Sequence, residues 1–165
     1  MTIPSALEPL RLRQVFGSFP TGVTVIAGVV DGVPAGLAAN SFVSVSLDPP
    51  MVSVCVARTS ATWPMLRRAG RIGVSVLGAH QEHISRQLSA RADDRFAALR
   101  WRTSADGAVL LDGASAWLDC AIERELPAGD HDIVLLRVHD LDADPEVAPL
   151  VFHGSRYRRL HHGLK

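Results

Sequence analysis

Three short runs, 43–47 (VSVSL), 52–57 (VSVCVA) and 74–77 (VSVL), alternate with a period of two. One parity is Val or Leu, and the other is given largely to Ser, Cys or Ala. Successive side chains of a strand face opposite sides of its sheet, so each run reads as a strand with one bulky apolar face and one shaved face. Small side chains let a backbone come close to something flat, a second sheet or a planar ligand. A tight barrel interior needs small residues for its own reasons. Periodicity leaves both readings open, but either one makes the chain a strand-built protein.

The rest of the chain fits that class. LEPLRLRQVFGSF (7–19) carries apolar residues at 7, 10, 12, 15, 16 and 19 and predicts a short amphipathic helix. TGVTVIAGVV alternates, breaks at Asp31-Gly32 and resumes as VPAGLAANSFVSVSL (33–47), a hairpin signal. Asp48-Pro49-Pro50 ends that second strand, because proline lacks the ladder donor and restricts the residue before it. MVSVCVA is a third strand. SATWPMLRRAG (60–70) predicts a short helix with Ser60 as N-cap and Gly70 as its stop. RIGVSVLG is a fourth strand, and 80–99 reads as helical, in one piece or two. Strands near 114–124, 132–141 and 148–153 follow, with a turn at 127–130 between the first two. The order β-β-β-α-β-α-β-β-β argues for a largely antiparallel sheet or barrel with helices on its outside.

Composition excludes several functions. A chain of 165 residues with 47% hydrophobic residues suits one domain, 1–165, with a core at about 10–160. Net charge is zero, and the sixteen arginines and one lysine are spread along the chain, so there is no footprint for nucleic acid or an acidic membrane. MTIPSALEPLRLRQVF lacks the apolar core of a signal peptide and no window resembles a membrane span, which predicts a cytoplasmic protein. Cys55 and Cys120 form no CxxC pair and read as reduced thiols. Neither GxGxxG nor GxxxxGK[ST] occurs, so Rossmann and P-loop nucleotide sites find no support. His80 and His83 lack a third ligand at helical spacing, which predicts no metal site.

Two stretches carry possible chemistry. In ARTSATWPML a strand ends at Arg58, and the hydroxyls of Thr59, Ser60 and Thr62 cluster where a helix begins. Free backbone N–H groups and an arginine there suit an anion, though an ordinary serine cap has the same pattern. His131 opens a strand directly after Gly129-Asp130, either as a functional histidine or as a turn residue capping backbone.

Taken in order, FPTGVTVIA (19–27), GLAANSFVSVSLDPPMVSVCV (36–56), SATWPML (60–66), GVSVL (73–77), DDRF (93–96), WLDC (117–120), GDHDIVLLRV (129–138) and PLVFHGSRYRRL (149–160) resemble the short-chain flavin reductases. These are the reductase partners of two-component flavin-dependent monooxygenases. The resemblance runs across nearly the whole chain. It implies an FMN-binding split β-barrel, a homodimer, and reduction of FMN or FAD by NADH or NADPH. It also leaves open a barrel that keeps FMN permanently as a stand-alone redox enzyme, or a non-catalytic flavin-binding module.

Residue by residue, the resemblance sets Ala38, Ala39, Asn40 and Ser41 along the flavin, with Asn40 the chain's only asparagine. Family members often carry threonine where Ala38 stands, so this chain has one hydroxyl fewer there. Ser53, Cys55, Val56 and Ala57 supply the strand against which the ring lies, and Arg58, Ser60 and Thr62 match the phosphate segment. Arg95 of DDRF matches a basic residue placed for phosphate or, in FAD, pyrophosphate; an ion pair with Asp93 or Asp94 is its plain alternative. His131 falls where the family sets a histidine beside the nicotinamide, as a positioning group. Tyr157 and Arg158 match the closing GxYR segment, at the flavin edge or against NAD(P)H.

Overall fold

The computed structural model describes residues 7–161. In chain order its elements are α1 (Pro9–Phe16), β1 (Thr21–Gly22), β2 (Thr24–Val30), β3 (Val33–Ala39), β4 (Val43–Leu47), β5 (Pro50–Ala57) and α2 (Trp63–Leu66). There follow β6 (Ile72–Val76), a 3₁₀ turn at Ala79–Gln81, α3 (Glu82–Ser89), β7 (Trp101–Thr103) and β8 (Val109–Leu111). The last four are β9 (Ala116–Ala128), β10 (His131–Ala143), β11 (Leu150–His153) and β12 (Arg156–Arg159).

Seven strands form one antiparallel sheet in the order β3-β2-β6-β9-β10-β5-β4. Its two edge strands, β3 and β4, are consecutive in the chain, joined only by residues 40–42. Side chains from both ends of the sheet share one core: Ile26 and Ala35 from β2 and β3 pack with Val52, Val54 and Val56 from β5. Only a rolled sheet brings its ends together in this way, so the sheet is a barrel with a split between β3 and β4. This is the mainly antiparallel split barrel expected from the sequence.

Local chemistry sets the turns. Asp31 and Gly32 both take positive φ, 50° and 78°, which gives the tight turn that fits strand twist between β2 and β3. Gly129 (φ +67°) turns β9 into β10, so His131 pairs with Ala128. β2 is buried along almost its whole length because both of its faces are covered. Ile26 lies in the barrel core, while Val25 and Ala27 meet α3 residues Ile84 and Leu88, with Phe96, Val109 and Leu150, in a second core outside it.

Several expectations change. The run 33–47 is two strands, because the chain leaves the β2 ladder at Ala39 and crosses the split. The segment 80–99 is helical only to Ser89. Beyond it, side chains capture the backbone: the Gln87 carboxamide donates to the Arg95 and Ala97 carbonyls, and Asp94 Oδ1 accepts the Phe96 N–H. The β7–β8 hairpin was not predicted, since its two strands are too short to show a period. In β4 the bulky parity faces outward, with Val43, Val45 and Leu47 at 56%, 50% and 94% exposure. An edge strand beyond the core has no layer of its own chain to cover it.

Candidate functional site

The split holds a cleft of ≈ 400 Å³. Its walls are the end of β3 with Ala38 and Ala39, the link residues Asn40 and Ser41, the end of β5 with Cys55, Val56 and Ala57, then Ser60, Arg95 and His131. Leu37, Leu88 and Ser89 complete it. Ten of the residues singled out in the sequence thus meet in one place, brought from five segments of the chain.

The split needs a tie, and Ser41 supplies it. The β4–β5 ladder ends at the pair Val43↔Ser53. Past it, the Cys55 N–H and C=O face the gap, and the Ser41 hydroxyl accepts from that N–H (2.9 Å) and donates to that carbonyl (3.1 Å). On the other bank, Thr24 Oγ1 donates to the Ala39 carbonyl at 2.9 Å. The two strand ends are therefore held apart at a set width. Ala38, Ala39 and Ala57 carry nothing beyond Cβ, which leaves room for a flat group between them. Val56 contributes backbone only, since its side chain is buried in the core.

At the far end of the cleft, polar groups gather. Ser60 Oγ accepts the Trp63 N–H at 3.1 Å, at the first residue of α2; the helix's N-cap is Thr62, not Ser60 as expected, and α2 ends at Leu66, short of Gly70. Arg95 donates to Thr62 Oγ1 at 3.0 Å and more weakly to the Leu88 carbonyl at 3.4 Å, not to Asp93 or Asp94. A guanidinium has five N–H donors, so most of its capacity remains for an anion. Arg58 is turned away: its Nε donates to Asp132 at 3.2 Å on an exposed surface, outside the cleft lining.

His131 lines the same cleft, opposite Ala57 in the β5–β10 ladder. The Arg58 N–H donates to the Asp130 carbonyl (3.0 Å) and pins the turn to β5. The His131 Nδ1 lies 2.7 Å from Asp130 Oδ1, which holds the ring and lowers the Asp130 pKa through that hydrogen bond and the histidine's charge. Tyr157 lies apart, in a smaller cleft of ≈ 210 Å³ that shares Ala38, Ala39, Asn40 and Ser89 with the first. Its hydroxyl is 2.8 Å from Ser85 Oγ and the Arg86 guanidinium sits 4.9 Å from its ring centre. Ser53 lies under Val43, and Arg158 is exposed on β12 opposite Val151; neither lines a cleft described here. Thr62 lies outside this lining but accepts a hydrogen bond from Arg95, which is part of it. Among the described residues no group of His, Cys, Asp and Glu suits a metal ion.

Leu88 and Ser89 escaped the sequence reading because they fell inside an expected longer helix. The helix stop at Ala90, extended at φ −77° and ψ 156°, is what opens them to the cleft. No residue type there signals it.

Comparison with known proteins gives the family. A family described as "Flavin reductase like domain" matches residues 16–161. The reductase subunit HsaB of a flavin-dependent monooxygenase from Rhodococcus jostii (strain RHA1) is 39% identical over 152 residues, covering 92% of this chain and 78% of that protein. A flavin reductase of Pseudomonas putida is 36% identical over 156 residues, covering 94% and 92%. Among solved structures, the NADH:FAD oxidoreductase SgcE6 of Streptomyces globisporus C-1027, in complex with NAD and FAD fragments, superposes with a TM-score of 0.91 at 38% identity, covering 100% of both chains. With a family match over residues 16–161 and these likenesses in sequence and fold, the chain belongs to the flavin reductase-like family.

Proposed function

We propose that this protein is an NAD(P)H-dependent flavin reductase that passes reduced FMN or FAD to a partner monooxygenase, acting as one flavin reductase-like domain. The observation that carries the reading is the convergence of 38–41, 55–57, Ser60, Arg95 and His131 on one cleft at the barrel split. A slot floored by alanines at one end and closed by an arginine at the other suits a planar ring joined to a phosphate.

A bound flavin supplies the hydride-accepting chemistry, with reduced nicotinamide as the donor. The chain's own residues bind and orient. The alanines admit the ring between β3 and β5, and the Ser41 and Thr24 ties keep the slot open to one width. Arg95 holds the phosphate end with charge-assisted hydrogen bonds, and Ser60 closes that end of the slot. His131, oriented by Asp130, positions the nicotinamide at the mouth. That role would require no proton from the ring, because the chemistry a bound flavin would supply is hydride acceptance.

A homodimer belongs to this proposal. β4 presents Val43, Val45 and Leu47 outward from a sheet edge beside the cleft, and unpaired apolar edges are surfaces that proteins normally cover. A cytoplasmic location accords with the absence, among the described residues, of a helix long and apolar enough to cross a membrane.

The deciding assay follows NADH and NADPH oxidation with and without added FMN or FAD. Colourless protein that oxidises the nucleotide only when flavin is added is the expected result. Yellow protein that keeps its flavin through desalting would favour a resident cofactor. No oxidation with any of the four pairs overturns the proposal.

A further inference from the structure

Arg95 reaches the cleft from a segment with little to hold it. α3 stops at Ser89, Ala90 is extended, and residues 90–94 are all exposed. The Arg95 side chain is part-buried and, among the described residues, donates to no carboxylate, only to Thr62 Oγ1 (3.0 Å) and the Leu88 carbonyl (3.4 Å). What fixes its backbone comes from the last turn of α3. Gln87 Nε2 donates to the Arg95 carbonyl and to the Ala97 carbonyl, both at 2.8 Å.

One amide group thus spans Phe96 from either side. Phe96 anchors the segment: it is 7% exposed, and its ring meets Trp101 edge to face with centres 6.4 Å apart. It fits because residue 36 is glycine, where a Cβ would stand 2.9 Å from Phe96 Cζ. Past it, the Leu99 N–H donates to the Phe96 carbonyl at 3.0 Å, over an Ala98 at φ 61°. That turn leaves carbonyls 95 and 97 without a backbone donor among the described residues, so Gln87 alone satisfies both.

We propose that Gln87 is a positioning residue for the flavin phosphate, keeping the Arg95 guanidinium at the end of the cleft by clamping 95–97 to α3. The inference rests on the flavin reductase reading above, in which Arg95 holds that phosphate. Gln87 does not line the cleft, so its effect passes through Arg95. An arginine preset at its target loses little freedom when the anion arrives. One on a loose loop must first be ordered, and binding weakens. The clamp also slows release, because the phosphate end leaves only when its arginine lets go.

The test is a set of fluorescence titrations with FMN and riboflavin on the wild type, Gln87→Met, Arg95→Ala and the double variant. Methionine keeps the length and helix propensity of glutamine but has no N–H to give. Gln87→Met is expected to weaken FMN by about three- to tenfold, mostly through faster release, and riboflavin by less than about twofold. In the Arg95→Ala background the same substitution is expected to change FMN affinity by less than about twofold, because the group it positions is gone. A purely structural role would instead weaken both flavins together. Equal losses for the two flavins, additive losses in the double variant, or no FMN loss from Gln87→Met beside a clear loss from Arg95→Ala overturns the inference. A wild type that neither binds nor reduces flavin, or an Arg95→Ala protein that binds FMN normally, overturns the reading on which it rests.

Discussion

Ser41→Ala tests the geometry of the split most directly. One hydroxyl serves both the N–H and the C=O of Cys55, where the β4–β5 ladder has already ended. Each such bond contributes about 0.5–1.5 kcal/mol net, so losing both costs roughly 1–3 kcal/mol. The site is only part-buried, so water replaces some of what is lost and about 2 kcal/mol is the expected value. For a chain of this size that lowers Tm by about 4–8 °C. The slot loses its fixed width as well, so riboflavin, FMN and FAD should all weaken by a similar factor, unlike the loss of a phosphate contact. Thermal unfolding and flavin titrations on Ser41→Ala read both effects, with Ser53→Ala as control because that side chain makes no such tie. A Ser41→Ala protein with wild-type Tm and flavin affinities would show that the hydroxyl does not hold the split.

Removal of the histidine ring, His131→Ala, should leave flavin affinity nearly unchanged while kcat/KM for the nicotinamide nucleotide falls roughly five- to a hundredfold, with no limb lost from the pH profile; a collapse of flavin affinity would make it a flavin ligand. Arg95→Ala should weaken FMN by about tenfold or more and leave riboflavin almost unaffected, whereas Arg58→Ala, already paired with Asp132, should change FMN affinity less than about threefold; titration of the two flavins separates these outcomes. Burial, helped by the Asp119 carboxylate and opposed by Arg71, pushes the Cys120 thiol up to about 12, so the native protein should titrate one accessible thiol at pH 8, Cys55, and flavin should slow its reaction. Because the folded state keeps the Cys120 proton above the unfolded value of 9.0, that contribution is whole below pH 9 and declines above it by about 1.4 kcal/mol per pH unit; Cys120→Ala should flatten this alkaline slope in urea denaturation. Light scattering should give a dimer that Val45→Asp converts to monomer; a wild type that is monomeric and fully active refutes the interface.

The period-two runs, the Asp-Gly and Gly-Asp turns and the proline stop at 48–50 determined by themselves that the chain makes antiparallel hairpins, because each acts between near neighbours. Ordered motifs likewise named ten of the residues that line the cleft. What the alternation left open was the meaning of small side chains, and only the rolled sheet decided it. β3 and β5 face each other across a gap because residues 40–42 carry the chain from one edge of the barrel to the other. That is a property of how the sheet closes, not of any window of sequence. The same holds for Arg58 and Arg95. Both are arginines near a predicted anion site, yet Asp132 draws one to the surface, while Gln87 and Asp94 fold the other's loop back over the cleft. Those partners lie far along the chain or inside an expected helix. Competition between local hydrogen bonds and helix continuation is settled by tertiary neighbours, so the helix stop at Ser89, and with it the entry of Leu88, Ser89 and Arg95 into the site, belonged to the structure alone.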